Sequence, residues 1–268
     1  MAPKPAKAAP LKELWPGQSV SLLKALHILT PNGGLNADSR RKLKQVQHLA
    51  QLIRPAIEAA LAEKNQPVLA DLGAGKSYLG FILYDLYFGP AGRGRVLAVE
   101  SRGDLITTAK KIAAESGFDR MDFVQGAIAA AEAGQVDIVT ALHACDTATD
   151  EAILFALKHQ ARYVALVPCC QAELARTLEG AKGALAQLWR HPIQRREFGA
   201  HLTNVLRALY LEAHGYKVRV TELTGLEHSL KNEFIFAERH QRANPRARAE
   251  FEKLAAETGA KPALLRFD

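Results

Sequence analysis

The chain is poor in cysteine. It has three in 268 residues, with Cys169 and Cys170 adjacent and Cys145 on its own. Thiols so placed form no disulfide framework, so stability must come from a packed core, and a reducing, cytoplasmic setting is expected. Long apolar runs are missing too. None approaches the ~20 residues a membrane helix needs, which predicts no membrane span. The opening Met-Ala-Pro-Lys-Pro-Ala-Lys-Ala-Ala-Pro10 lacks the apolar core of a signal peptide. Its Pro, Ala and Lys content reads as a disordered basic tail. No internal repeat is visible.

Acid is scarce at one end. Residues 1–64 hold ten Lys and Arg against four Asp and Glu, so most of the net charge of +7 lies there, densest at 40–44. A basic segment of this kind suits tracking of phosphates, and contact with RNA through it is expected. A solubilising tail with a solvated helix face would give the same count. Elsewhere the composition, 48% hydrophobic and 24% charged, suits a sizeable α/β domain with appendages.

The most informative stretch is Val68-Leu-Ala-Asp-Leu-Gly-Ala-Gly-Lys-Ser77. Read as a phosphate-binding P-loop it lacks the first glycine, where Ala70 stands, and it sets Asp71 against an anionic triphosphate. No partner strand ends in an aspartate for magnesium, since the stretch 136–143 ends in His143. Read as a dinucleotide loop it lacks the third glycine, where Tyr78 stands. Asp71-x-Gly73-x-Gly75 after an apolar strand fits the glycine loop for S-adenosylmethionine (SAM), whose ammonium and sulfonium suit a nearby carboxylate. The next apolar strand, 95–100, ends in Glu100, at the βαβ spacing where a carboxylate grips the hydroxyls of a ribose.

Periodicity and turn residues give the element order. An amphipathic helix over 39–53, capped at Asn36 to Asp38, precedes a second helical turn over 56–62. Strands are expected at 68–72, 95–100, 122–125, 136–142, 163–168, 217–222 and 232–237. Helices are expected at 78–87, 105–116, 150–158 and 198–214, with a turn over 89–94. The alternation implies an α/β, doubly wound, mostly parallel seven-stranded Rossmann-like sheet, with N-terminal helices and a C-terminal helical tail. Three parts are predicted: a partly disordered basic arm over 1–36, a SAM-binding domain over 37–240 and a helical tail over 241–268.

In such a sheet ligands bind beyond the carboxyl ends of the strands, where strand order reverses. That places Asp71, Gly73, Ala74 and Gly75 after the first strand and Glu100 with Ser101 after the second. Gln125 and Gly126 follow the third, where they would border the adenine. His143 and Asp146 follow the fourth and are the candidates for removing a proton from the acceptor, His143 also for touching the cofactor. A strand-end histidine equally serves packing. Cys145, Cys169 and Cys170 with His143 raise a tetrahedral zinc site, but adjacent cysteines tend to point apart, so no metal is expected. Small, polarizable thiols here permit close approach of cofactor and substrate.

His143-x-Cys145-x-x-Ala148-Thr149-Asp150 followed by Cys169-Cys170 resembles the eukaryotic tRNA 2′-O-methyltransferase family that modifies the acceptor stem. It is also similar to the wider methyltransferase domain shared with the glutathione S-transferase C-terminal-domain protein family. Ser229-x-Lys231-Asn232 before the last strand fits that wider group. The resemblance spans about residues 40–240 and implies a closing hairpin with one antiparallel strand. Asp146 stands where the tRNA family has glycine and Gln171 where it has histidine, and that family's zinc-finger segments have no counterpart here. The expected activity is SAM-dependent methyl transfer to RNA. Methylation of a protein or small molecule, and SAM-fold binding without turnover, are the alternatives.

Overall fold

The structure is a computed structural model that describes residues 12–142, 144, 146–168, 172–223 and 233–266. Two helices come first: α1 (Val20–Ala25) and α2 (Ala37–Glu63). The first half of the sheet then alternates with helix: β1 (Val68–Leu72), α3 (Tyr78–Leu83), α4 (Gly89–Ala91), β2 (Arg95–Glu100), α5 (Gly103–Ser116) and β3 (Met121–Gln125). β4 (Ile138–Leu142), α6 (Ala148–Lys158) and β5 (Tyr163–Val167) follow. Three helices, α7 (Glu173–Thr177), α8 (Ala186–Arg190) and α9 (Pro192–Ala213), lead to β6 (Tyr216–Glu222), β7 (Glu233–Arg239) and α10 (Pro245–Thr258).

Among the described residues seven strands form one sheet in the order β3-β2-β1-β4-β5-β7-β6. β7 runs antiparallel to both its neighbours and the remaining pairings are parallel. The fold is the α/β, doubly wound Rossmann-like class. Strand order reverses between β1 and β4, so the crevice for a ligand opens there. One face is covered by α1, α2, α3 and α5, burying Leu49, Ile53, Ile57, Phe81 and Phe88. The other lies under α6, α9 and α10, burying Ile153, Leu206, Tyr210 and Phe251.

Several elements differ from the sequence reading, for identifiable reasons. α2 is one helix of 27 residues that passes through Pro55. Pro55 removes one backbone hydrogen bond, a loss of ~3 kcal/mol in a helix interior. It lies on the exposed side, so the freed carbonyl meets water while Ile53, Ala56, Ile57 and Ala60 stay continuous on the buried face. The helix after the glycine loop continues through a π turn, Tyr84–Phe88, into α4, so the expected turn begins only at Gly92, which has φ +64°.

The segment read as a basic arm is packed from α1 onward. Leu22, Leu23, Leu26, Ile28 and Leu29 are buried, and Ser19 N–H donates to Asp85 Oδ2 at 2.9 Å. The basic residues of this segment are interleaved with an apolar run that packs, and residues 1–11 lie outside the described part. In the segment read as a tail, Phe251 of α10 packs on Tyr210, with ring centroids 5.5 Å apart. Among the described residues no helix is long and apolar enough to cross a membrane.

Candidate functional site

β1 delivers the chain into a loop built on left-handed backbone. Gly73 has φ +61° and Gly75 φ +56°, a region costly for other residues, and Ser77 follows at φ +53°. Ala74 N–H donates to Val99 O at 3.0 Å, which pins the loop across the end of β2. A side chain on Gly73 would point toward Ala144 and Ile128, with a Cβ 3.7 Å from that of Ala144. The bare glycine therefore faces the end of β4, at the switch point.

Asp71 lies beneath this loop, 1% exposed. Its Oδ1 accepts from Thr140 Oγ1 at 2.9 Å, and its Oδ2 from Gly80 N–H at 3.2 Å and Ser77 Oγ at 3.3 Å. Burial pushes its pKa up to about 6, although the bonds from Thr140, Gly80 and Ser77 oppose the rise. The expected carboxylate facing a cation is thus turned inward, where it braces the loop and the start of α3. Gly80 is required by close approach, because a Cβ there would lie 2.7 Å from Ser77 Oγ and 3.0 Å from Asp71 Oδ2.

Glu100 ends β2 and is 6% exposed. Its Oε2 accepts from Gly75 N–H at 2.7 Å. Its Oε1 accepts from Arg102 N–H and Arg102 Nε, both at 3.1 Å, and from Ser101 Oγ at 3.2 Å. Desolvation pushes its pKa up, but the Arg102 and Gly75 donors outweigh that and hold it below the usual carboxylate value. The group is a fixed anion at neutral pH. Among the described residues Oε2 accepts from Gly75 alone, and the Arg102 side chain is 62% exposed. Glu100 and Gly75 are thereby brought together, with Ser101 beside them.

At β3, Gly126 N–H donates to Glu100 O at 3.0 Å, so the third strand end joins the first two. The Gln125 side chain crosses Gly103, where a Cβ would meet its Nε2 at 2.8 Å.

The β4 side is held differently. Arg207, on α9 and 1% exposed, grips both oxygens of Asp150 through Nε at 2.7 Å and a terminal nitrogen at 3.0 Å. The same nitrogen donates to the Asp146 carbonyl at 2.7 Å, and Thr149 Oγ1 donates to Ala144 O at 2.7 Å. The Ala148-Thr149-Asp150 motif is thus a clamp for the loop after β4. Asp146 has φ +53° and its Oδ1 accepts from the N–H groups of Ala172 and Glu173, at 3.0 and 2.9 Å. Its Oδ2 accepts from Arg176 at 2.7 Å. Desolvation pushes its pKa up, yet the Arg176 and α7 backbone donors more than reverse this, leaving it lowered. A carboxylate so committed is a weak proton acceptor, contrary to the role expected of it. It serves as the cap of α7.

His143, Cys145, Cys169, Cys170 and Gln171 lie outside the described residues, as do Ser229, Lys231 and Asn232. The sequence reading missed Thr140, Gly80, Arg102, Arg176 and Arg207. Two of these carry a signal: Thr140 is a polar residue within an apolar strand, and Arg207 is an arginine on the apolar face of a helix.

Residues 41–177 match the family model described as "Methyltransferase domain". By sequence, no curated protein matches the chain. Among solved structures, similarity of fold is found to magnesium protoporphyrin IX methyltransferase from Synechocystis with bound SAH, at 16% identity and TM-score 0.48, covering 81% of this chain and 94% of that one. An rRNA methylase from Streptococcus thermophilus gives 10% identity and TM-score 0.46, covering 73% and 94%. A methyltransferase from Geobacter sulfurreducens gives 15% and 0.45, covering 85% and 92%.

Proposed function

This chain belongs to the methyltransferase-domain family and is a SAM-dependent methyltransferase, and we propose that it methylates RNA. The observation that carries the RNA reading is charge: six of the seven net positive charges lie in residues 1–64. Part of that segment, α1, packs on α5 beside the glycine loop. The motif at 143–150 supports the same reading through its resemblance to the tRNA acceptor-stem 2′-O-methyltransferases and the glutathione S-transferase C-terminal-domain proteins.

The described residues fit the cofactor. Left-handed Gly73 leaves the loop bare toward the end of β4, Gly75 leaves it bare toward Arg102, and a carboxylate held as an anion stands at the end of β2. SAM supplies a methyl group on a positively charged sulfur, already activated for transfer. In the reading proposed here Gly73, Ala74 and Gly75 cradle its methionine end, Glu100 and Ser101 take the ribose hydroxyls, and Gln125 and Gly126 border the adenine. The ends of β4 and β5 flank the acceptor. Positioning dominates such a transfer. With the Asp146 carboxylate committed to α7 and Arg176, His143 is the residue assigned to accept a proton. The enzyme is placed in the cytoplasm, without bound metal.

Tritiated-SAM labelling of total RNA and total protein from cells lacking the enzyme tests the substrate class. Label in RNA is expected. Label in protein alone would replace RNA by a protein substrate, and label in neither would leave a binder or a small-molecule enzyme. RNA affinity should also fall with salt, with a slope of about −0.7 per contacted phosphate on a single strand. Arg40→Glu, Arg41→Glu and Lys42→Glu together should abolish RNA methylation while leaving the fold intact.

A further inference from the structure

A cavity of about 240 Å³ lies between α1, the glycine loop and α5, apart from the strand ends that hold the cofactor site. Leu26, Leu105, Ala109 and Ile112 give it apolar walls, while His27, Lys76, Tyr78 and Thr108 supply its polar groups. Among the described residues no carboxylate lines it. Lys76 is exposed and has no ion pair among the described residues. Tyr78 interacts electrostatically with Lys42, in the basic stretch 40–44.

His27 is the second observation. It follows α1, whose end is closed by His27 N–H to Lys24 O at 3.0 Å and Ile28 N–H to Leu23 O at 2.9 Å. That bond pair forms a Schellman ending, where the residue in His27's place is left-handed and most often glycine. His27 has φ +55°. A histidine held in this region is strained, and its side chain lines the cavity, so the strain coincides with a ligand-facing group.

We propose that this cavity is a subsite for one nucleotide of a single-stranded RNA substrate, flanking the one that is methylated. The inference rests on the RNA reading above and adds a place to it. The apolar walls accept a flat heterocycle, the rings of His27 and Tyr78 offer stacking faces, and Lys76 faces the phosphate. Lys76 and Tyr78 flank Ser77 of the glycine loop, so a base held here lies against the loop assigned above to the cofactor.

The test is fluorescence anisotropy at low salt with a fluorescein-labelled single-stranded RNA of about 12 nucleotides, within the site sizes of single-strand binders. It uses the full chain and the variants His27→Gly, Lys76→Ala and Thr108→Trp, the last filling the cavity from an exposed helix position. Each variant should bind RNA about fivefold more weakly or worse, the range expected for loss of one stacked base or its phosphate contact. His27→Gly and Thr108→Trp should keep SAM affinity. His27→Gly should also melt at an equal or higher temperature, because glycine relieves the strain, an outcome that a merely structural histidine would not give together with lost binding. Wild-type binding that all three variants share overturns the subsite and leaves the RNA reading standing. No RNA binding by the wild type overturns both. A lower melting point for His27→Gly removes the strain argument and counts against the subsite.

Discussion

The two sides of the crevice are held by different chemistry. On the β1–β2 side, carboxylates clamp backbone: Asp71 takes Gly80 N–H, Glu100 takes Gly75 N–H, and the glycines supply the turns. On the β4–β5 side, the loop is fixed by an ion pair buried under α9, between Arg207 and Asp150, and by Asp146 capping α7. The first joins backbone donors 9 and 25 residues away, from Gly80 and Gly75, with one distant side chain, Thr140, 69 residues from Asp71. The second spans 57 residues between Asp150 and Arg207. The β1–β2 side is therefore held by backbone donors of its own loop and by Thr140 of the neighbouring strand β4, whereas the β4–β5 side depends on α9, a helix that arrives late in the chain.

Breaking the ion pair should separate the two sides most sharply. Arg207→Met leaves Asp150 buried and unpaired, a loss expected at about 3–5 kcal/mol. Urea denaturation should show that loss, while SAM affinity measured well below the melting point stays near wild type. Adding Asp150→Leu should recover part of the stability, because the uncompensated charge is gone. A loss of SAM binding in a folded Arg207→Met protein would show that the two sides are coupled.

Asp71 gives the next effect, visible through pH. Its folded pKa of about 6 exceeds the ordinary 3.8. Between those values the folded chain keeps a proton that the unfolded chain has lost, so stability from this group falls as pH rises through the window and levels off above it. Asp71→Asn removes the titration while keeping a near-identical shape. The stability of wild type relative to Asp71→Asn should therefore drop between pH 4 and pH 7, by at most roughly 3 kcal/mol for a shift of about two units. An equal difference at both ends would mean that Asp71 titrates normally.

Glu100→Ala probes the same side through its ligand. Losing charge-assisted bonds worth ~1.5–3 kcal/mol each should weaken SAM in calorimetry by roughly ten- to a hundredfold or more. Unchanged affinity would place the ribose elsewhere.

The same contrast explains what was legible in the sequence. β1, β2 and the glycine loop between them were readable, because apolar runs, glycines and strand-end carboxylates recur within one βαβ unit. α7 and α8 were not. Each is five residues long, and the cap of α7 comes from Asp146, on the far side of β5. α9 holds the expected stretch and begins further upstream, at Pro192, where a first turn with exposed Ile193 and no regular apolar face gives no signal in the sequence. Asp71 and Asp146 were both placed at the right strand ends, yet their orientation depends on donors that no spacing rule names: Thr140 for the first and Arg176 for the second.

Asp146 yields the smallest and most diagnostic effect. The position has φ +53°, in the region where glycine sits without strain, and the resembling tRNA family carries glycine there. Aspartate tolerates the left-handed region better than most residues, and here its side chain also caps α7. The two contributions separate in a pair of variants. Asp146→Gly loses the cap, worth ~1 kcal/mol, but gives up the backbone strain. Asp146→Ala loses the cap and keeps the strain, so it should be less stable than Asp146→Gly by about 1 kcal/mol. The ion pair to Arg176, whose side chain is 63% exposed, adds little to either. Asp146→Asn keeps one acceptor oxygen for α7, and methyl transfer by it should follow the wild-type pH profile, since the carboxylate is engaged with α7 and Arg176. A folded Asp146→Asn protein that binds SAM normally but has lost transfer would return this carboxylate to the role of proton acceptor, and would make the β4–β5 side a catalytic surface rather than a brace.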